Sequence, residues 1–86
     1  MATATTTFYR VMVYVGSVHV AHYANQAREA GLTEVVAGTE HVYGVVEAAQ
    51  ANTETDRLLL RQRTAALVYG TPVAAGWRDV RVLGAK

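Results

Sequence analysis

The chain has no cysteine, which excludes a disulfide framework, a thiolate nucleophile and a cysteine-type zinc site. Its only serine is Ser17, so a hydroxyl nucleophile has little to draw on. No apolar run approaches the ~20 residues a bilayer-crossing helix needs. The opening Met1–Thr7 stretch lacks the basic and apolar regions of a secretion signal, so the expectation is a cytoplasmic protein without a membrane partner. A net charge of +1 is too small for the chain as a whole to attract nucleic acid or an anionic surface. None of the glycine spacings fits a phosphate loop or a dinucleotide fingerprint, and no cofactor is expected.

What is present reads as globular. Apolar residues make up 51% of the chain and charged residues 17%, a balance that separates it from disordered sequences. At 86 residues it forms one domain. A domain of this size buries only about 60 to 65% of its unfolded surface, so its stability is marginal unless oligomerisation adds to it. The expected organisation is a flexible stretch at 1–6 followed by a single domain at 7–86.

Hydrophobic periodicity supplies the elements. Phe8 to Val15 alternates Tyr9, Val11, Val13 and Val15 with Phe8, Arg10, Met12 and Tyr14, and predicts a strand that Gly16 ends. Ser17 is the expected N-cap of a helix carrying Val20, Tyr23, Ala24, Ala27 and Ala30 on one side, stopped by Gly31. Thr33–Ala37 and His41–Ala48 are valine-rich and flank Gly38-Thr39-Glu40, a hairpin signal. Thr53 and Asp56 have capping-box spacing and open a second helix through Leu59, Leu60, Thr64, Leu67 and Val68, closed by Gly70 and Pro72. Trp77 to Leu83 predicts a final strand. Gly44, inside a strand, predicts a bulge or the close approach of a helix.

The order βαββαβ predicts an α+β, ferredoxin-like two-layer sandwich: a four-stranded antiparallel sheet with both helices on one face. Val11, Val13, Val15, Val42, Val46, Val80 and Val82 belong under the helices. The other face then carries Met12, Tyr14, Tyr43, Val45 and Leu83, with Arg10, His41, Glu47 and Arg81 around them. An apolar centre rimmed by charge is the anatomy of an interaction surface.

Two segments of that face carry a family resemblance. Val13-Tyr14-Val15-Gly16 resembles the first-strand signature of RNA-recognition motifs, and His41-Val42-Tyr43-Gly44-Val45-Val46-Glu47-Ala48 is similar to the longer third-strand signature. The resemblance implies the same sandwich, and base stacking on Tyr14 and Tyr43. It departs from the family where Val45 and Ala48 stand at aromatic positions and His41 stands where a lysine or arginine contacts phosphate.

The expected function is therefore a small non-enzymatic interaction module that self-associates as a dimer through the open sheet face, or binds a heterologous protein if it is an accessory gene product. Single-stranded RNA binding through Tyr14 and Tyr43 is the alternative. A small-molecule binder or enzyme with a pocket inside a dimeric α+β barrel is the third reading. His19, His22 and His41 gather toward one end of the sheet, but three donors on two faces without a fourth do not make a metal site. Arg28, Arg57, Arg61 and Arg63 are expected on wet helix faces, weakly paired to Glu29, Glu54 and Asp56.

Overall fold

The alternation around Val11 becomes strand β1 (Thr6–Tyr14) in a computed structural model of the chain, which describes residues 6–49, 51–70 and 76–86. After it come α1 (Val20–Glu29), β2 (Thr33–Ala37), β3 (His41–Ala49), α2 (Glu54–Tyr69), a 3₁₀ turn at Gly76–Asp79 and β4 (Val80–Ala85). The strands form one antiparallel sheet in the order β2-β3-β1-β4, the ferredoxin-like α+β sandwich. β1 and β3 pair without interruption from Thr6↔Ala49 to Tyr14↔His41. That unbroken register keeps residues of like parity on one face over the whole central pair.

The face under the helices is the core. Tyr9, Val11 and Val13 of β1, Val42 and Val46 of β3 and Val80 of β4 pack with Ala24 and Ala27 of α1 and with Leu60, Ala65 and Val68 of α2. Alanines at the contact positions let the helix axes come close to the sheet. Thr64 is fully buried and its hydroxyl donates to the Leu60 carbonyl at 2.8 Å, so its polar atom is satisfied inside its own helix. The Tyr9 hydroxyl accepts from the Ala51 N–H at 2.8 Å, fastening the segment between β3 and α2 to the core.

The capping box of α2 is formed as the sequence predicts: the Asp56 N–H donates to Thr53 Oγ1 at 3.1 Å and the Thr53 N–H to Asp56 Oδ2 at 3.4 Å. Gly70 closes the helix in the left-handed conformation, φ 79°, while Pro72 lies outside the described residues. The start of α1 differs from expectation. His19, not Ser17, is its N-cap, and no side chain caps it. Ser17, Val18 and His19 form the bend before it, because the backbone of Val15 and Gly16 is held by donation to the Glu40 carbonyl at 2.9 and 3.1 Å and the chain cannot turn into the helix earlier. Ala30 follows the helix as its exposed C-cap.

The last strand also starts later than expected. Gly76–Asp79, including Trp77, forms the 3₁₀ turn, and the strand proper begins at Val80; the role of the Trp77 ring lies outside the described residues. Thr6 already belongs to β1, whereas residues 1–5 of the stretch expected to be flexible lie outside the described residues. Gly44 stands opposite the β2 irregularity between Thr33↔Val45 and Val36↔Tyr43, as the bulge expectation has it, and the close approach there is not by a helix. A Cβ there would stand 3.1 Å from Leu32 Cδ2 and 3.6 Å from Val35 Cγ2, so it is the chain entering β2 that needs the space. No described helix is long and apolar enough to cross a membrane.

Candidate interaction face

The sheet face opposite the helices has no covering layer among the described residues. Phe8 (47% exposed), Tyr14 (46%) and Tyr43 (38%) stand on it with Val36 and Leu83, the exposed large apolar residues of the strands. The pairings Met12↔Tyr43, Tyr14↔His41 and Val36↔Tyr43 place these side chains shoulder to shoulder. The Tyr14 and His41 rings meet edge to face at 5.4 Å, and His41 lies 6.2 Å from Tyr43 at a tilt of 41°. Together they make a strip of three rings running from β1 to β3 at one end of the sheet.

Tyr14 is held from behind. The Tyr69 hydroxyl, on the last residue of α2, donates to the Tyr14 carbonyl at 2.7 Å and lies 3.2 Å from Asp79 Oδ2. Burial, the nearby Asp79 carboxylate and its hydrogen bond push the Tyr69 hydroxyl up to about 12. At neutral pH it is therefore a committed donor. The ring of Tyr23 packs edge to face on Tyr69 at 5.3 Å, so α1 and α2 jointly fix the backbone that presents Tyr14.

The other end of the face is built differently. β2 carries an extra residue between Thr33↔Val45 and Val36↔Tyr43, and Glu34 in that bulge has φ 51°, a left-handed conformation rare for a residue other than glycine. β4 has its own bulge between Val82↔Val11 and Gly84↔Arg10, with Gly84 at φ 139°. Both edge strands thus break their pairing beside the Arg10↔Val45 pair, a device that spoils edges for further strand addition at those points. The Glu34 carboxylate forms an ion pair with Lys86, which follows β4 on the opposite edge. To meet, the two side chains reach across β3 and β1.

One residue of the expected face is less accessible than its position suggests. Val45 shares the parity of Tyr43 and lies outside the helix-side core, yet it is only 6% exposed. Arg10, Glu34, Tyr43 and Leu83 line a shallow depression around it, and their side chains cover so short a residue. Val45 is therefore a floor to the face, not a contact point. Met12 is half-buried between its neighbours, and Arg10 is exposed. Arg81 pairs with Met12 and is exposed on the outer strand of the sheet. Phe8 and Val36 belong to the surface and were missing from the expected set. The parity of Phe8 with Tyr14 was a readable signal, whereas Val36 depends on the bulge in β2.

Arg28, Arg57 and Arg63 are exposed, as expected of wet helix faces, and three of the helix arginines also reach strand carbonyls. Arg28 donates to Asn25 Oδ1 at 2.8 Å and to the Val35 carbonyl at 3.2 Å, Arg61 to the Val80 carbonyl at 2.9 Å, and Arg63 to the Glu47 carbonyl at 2.5 Å. Besides the Asn25 contact within α1, these bonds fasten helices to strands, because a guanidinium on the flank of a two-layer sandwich can reach the carbonyls at strand ends and edges. Among the described residues no group of three or more His, Asp or Glu side chains could hold a metal ion.

No family model, curated protein or solved structure matches this chain. Its function is argued from its own surface.

Proposed function

We propose that the chain is a non-enzymatic interaction module that self-associates by packing the open sheet faces of two copies together. The observation that carries this reading is the exposed cluster of Phe8, Tyr14, Val36, Tyr43 and Leu83 on an uncovered sheet. Nine-residue central strands at ~3.3 Å per residue and four strands about 4.8 Å apart give a projected face on the order of 500 Å², and side-chain relief raises this toward the ~800 Å² per partner of a stable pair.

Charge favours a second copy over a polyanion. Arg10 and Arg81 on β1 and β4 face Glu34 and Glu47 on β2 and β3, so the rim carries both signs. A two-fold axis through the middle of such a patch sets positive against negative, as an isologous contact requires. The ring strip Tyr14-His41-Tyr43 is the feature that serves the second reading, stacking of single-stranded RNA, but the two glutamates would repel the phosphates that run beside stacked bases.

Light scattering on a sizing column, at low and moderate salt, tests the proposal. The expected result is a dimer mass that Tyr43→Asp or Tyr14→Asp reduces to a monomer with unchanged far-UV circular dichroism. A monomeric native protein overturns it. A monomer that binds oligouridylate, more weakly as salt rises and more weakly again without either tyrosine, establishes the RNA reading in its place.

A further inference from the structure

The open face is divided in two directions, by charge across the strands and by rings along them. Arg10 and Arg81 stand on β1 and β4, while Glu34 and Glu47 stand on β2 and β3. The Tyr14↔His41 pair and Tyr43 occupy one end of the face, and Glu47, paired with Phe8, occupies the other. Aligned sheets packed face to face keep their strands within about 30° of one another, so a two-fold axis relating two copies runs either across the strands or along them.

The two axes give opposite contacts. An axis across the strands lays each strand over its own counterpart and exchanges the ends of the sheet, which sets Arg10 beside the partner's Arg81 and His41 over the partner's Glu47. An axis along the strands, between β1 and β3, exchanges the two halves of the sheet instead. Tyr14 then lies over the partner's His41, and Arg10 comes beside the partner's Glu47. Glu34 is already matched by Lys86 within its own chain, so Arg10, Arg81 and Glu47 are the charges that decide, and the second axis is the one that keeps the two arginines apart.

Resting on the self-association proposed above, we infer that two copies pair about the axis along the strands, with the two ring strips stacked on one another at the same end of the dimer. His41 is then enclosed by Tyr14 and Tyr43 of its own chain and by the partner's Tyr14. No described carboxylate is turned toward it within the chain. Beside it β2 ends in Ala37 and Gly38, Glu40 is exposed in the hairpin turn, and Asp79 is engaged by the Tyr69 hydroxyl at 3.2 Å. The charged group nearest along the face is Arg81, in the row next to the rings. A proton on His41 therefore puts a charge without a counter-ion into a closed ring cluster, and pairing weakens as the pH falls through the range in which histidine side chains titrate. The axis across the strands predicts the opposite sign, since it sets His41 over a carboxylate.

The test is light scattering over a dilution series at about pH 7.5 and about pH 5.5, which gives the dissociation constant of the dimer at each. A constant raised about tenfold or more at the lower pH is expected, with the ratio between the two pH values lost in His41→Phe; the ratio is what is read, whatever the affinity of that variant. Because the chain has no cysteine, a nitroxide label on Thr39→Cys, in the hairpin turn, reports the orientation. Turns at the same end of the dimer put the two labels about 20 Å apart, and exchanged ends separate them by about 30 Å or more. The longer distance, a dimer no weaker at the lower pH, or an unchanged ratio in His41→Phe each overturns the inference and leaves self-association standing. A monomer at both pH values removes self-association and the inference with it.

Discussion

The two faces of one sheet, built from alternate residues of the same strands, have opposite surroundings. On the helix side the strands present mainly valine, with Tyr9 at one end, and the helices answer with alanine, so buried side chains are short and the layers close tightly. On the other side the same strands present Phe8, Met12, Tyr14 and Tyr43, large side chains that no helix meets. Both faces are apolar. What separates them is side-chain size and the presence of a cover, and the difference shows that apolarity alone does not tell a covered face from an open one.

The comparison breaks most sharply at neighbouring positions. Val13→Asp places a charge at a fully buried helix-side site and should abolish cooperative folding, a loss of about 4 kcal/mol or more, whereas Tyr14→Asp next to it should cost the fold little. Urea denaturation followed by circular dichroism checks the pair; equal loss in both would mean that the open face is as structural as the core.

Next in size is Tyr9→Phe. Removing the hydroxyl leaves the Ala51 N–H without its buried acceptor, for an expected loss of about 1 to 3 kcal/mol by the same measurement. No loss would mean that water replaces the hydroxyl and that this end of the core is wet.

The third contrast is in alkali. Tyr69 loses its proton near 10 when unfolded and at about 12 when folded, so the folded state holds the extra proton between those values. The stability this hydroxyl contributes is whole below pH 10 and is lost as pH rises toward 12. Unfolding free energies measured across that window should fall more steeply for the native protein than for Tyr69→Phe. Identical slopes would remove the hydroxyl from the link between α2 and the Tyr14 carbonyl.

The smallest effect is expected from the strap. The Lys86 and Glu34 side chains are about half exposed, and Lys86→Ala should change stability by no more than ~1 kcal/mol, less at high salt. A loss well above that would make the strap a true cover for Val45, narrowing the difference between the two faces.

Much of the architecture was legible because it depends on short-range patterns. The parity of Tyr9, Val11 and Val13 chose the core face, Gly38-Thr39-Glu40 set the hairpin, and Thr53 with Asp56 fixed the start of α2. The candidate face was legible in the residues the strands alternate, including Tyr14, His41 and Tyr43. It was not legible where geometry departs from simple alternation. The bulges at Glu34 and Gly84 add a residue to each edge strand, and neither Val36 nor the cover over Val45 follows from counting. Ser17 looked like a cap because serine favours that position, but the backbone anchored on Glu40 carries the chain past it.

By itself, then, the sequence determined the element order, the faces of the strands and the ends of the hairpin and second helix, since propensity, periodicity and capping act over a few residues. Only the tertiary structure decided that Tyr69 holds the backbone of Tyr14 from 55 positions away and that the helix arginines seize strand carbonyls. Those contacts join residues whose adjacency is created by the strand order, and no local pattern in the chain encodes which distant groups the completed sheet brings together.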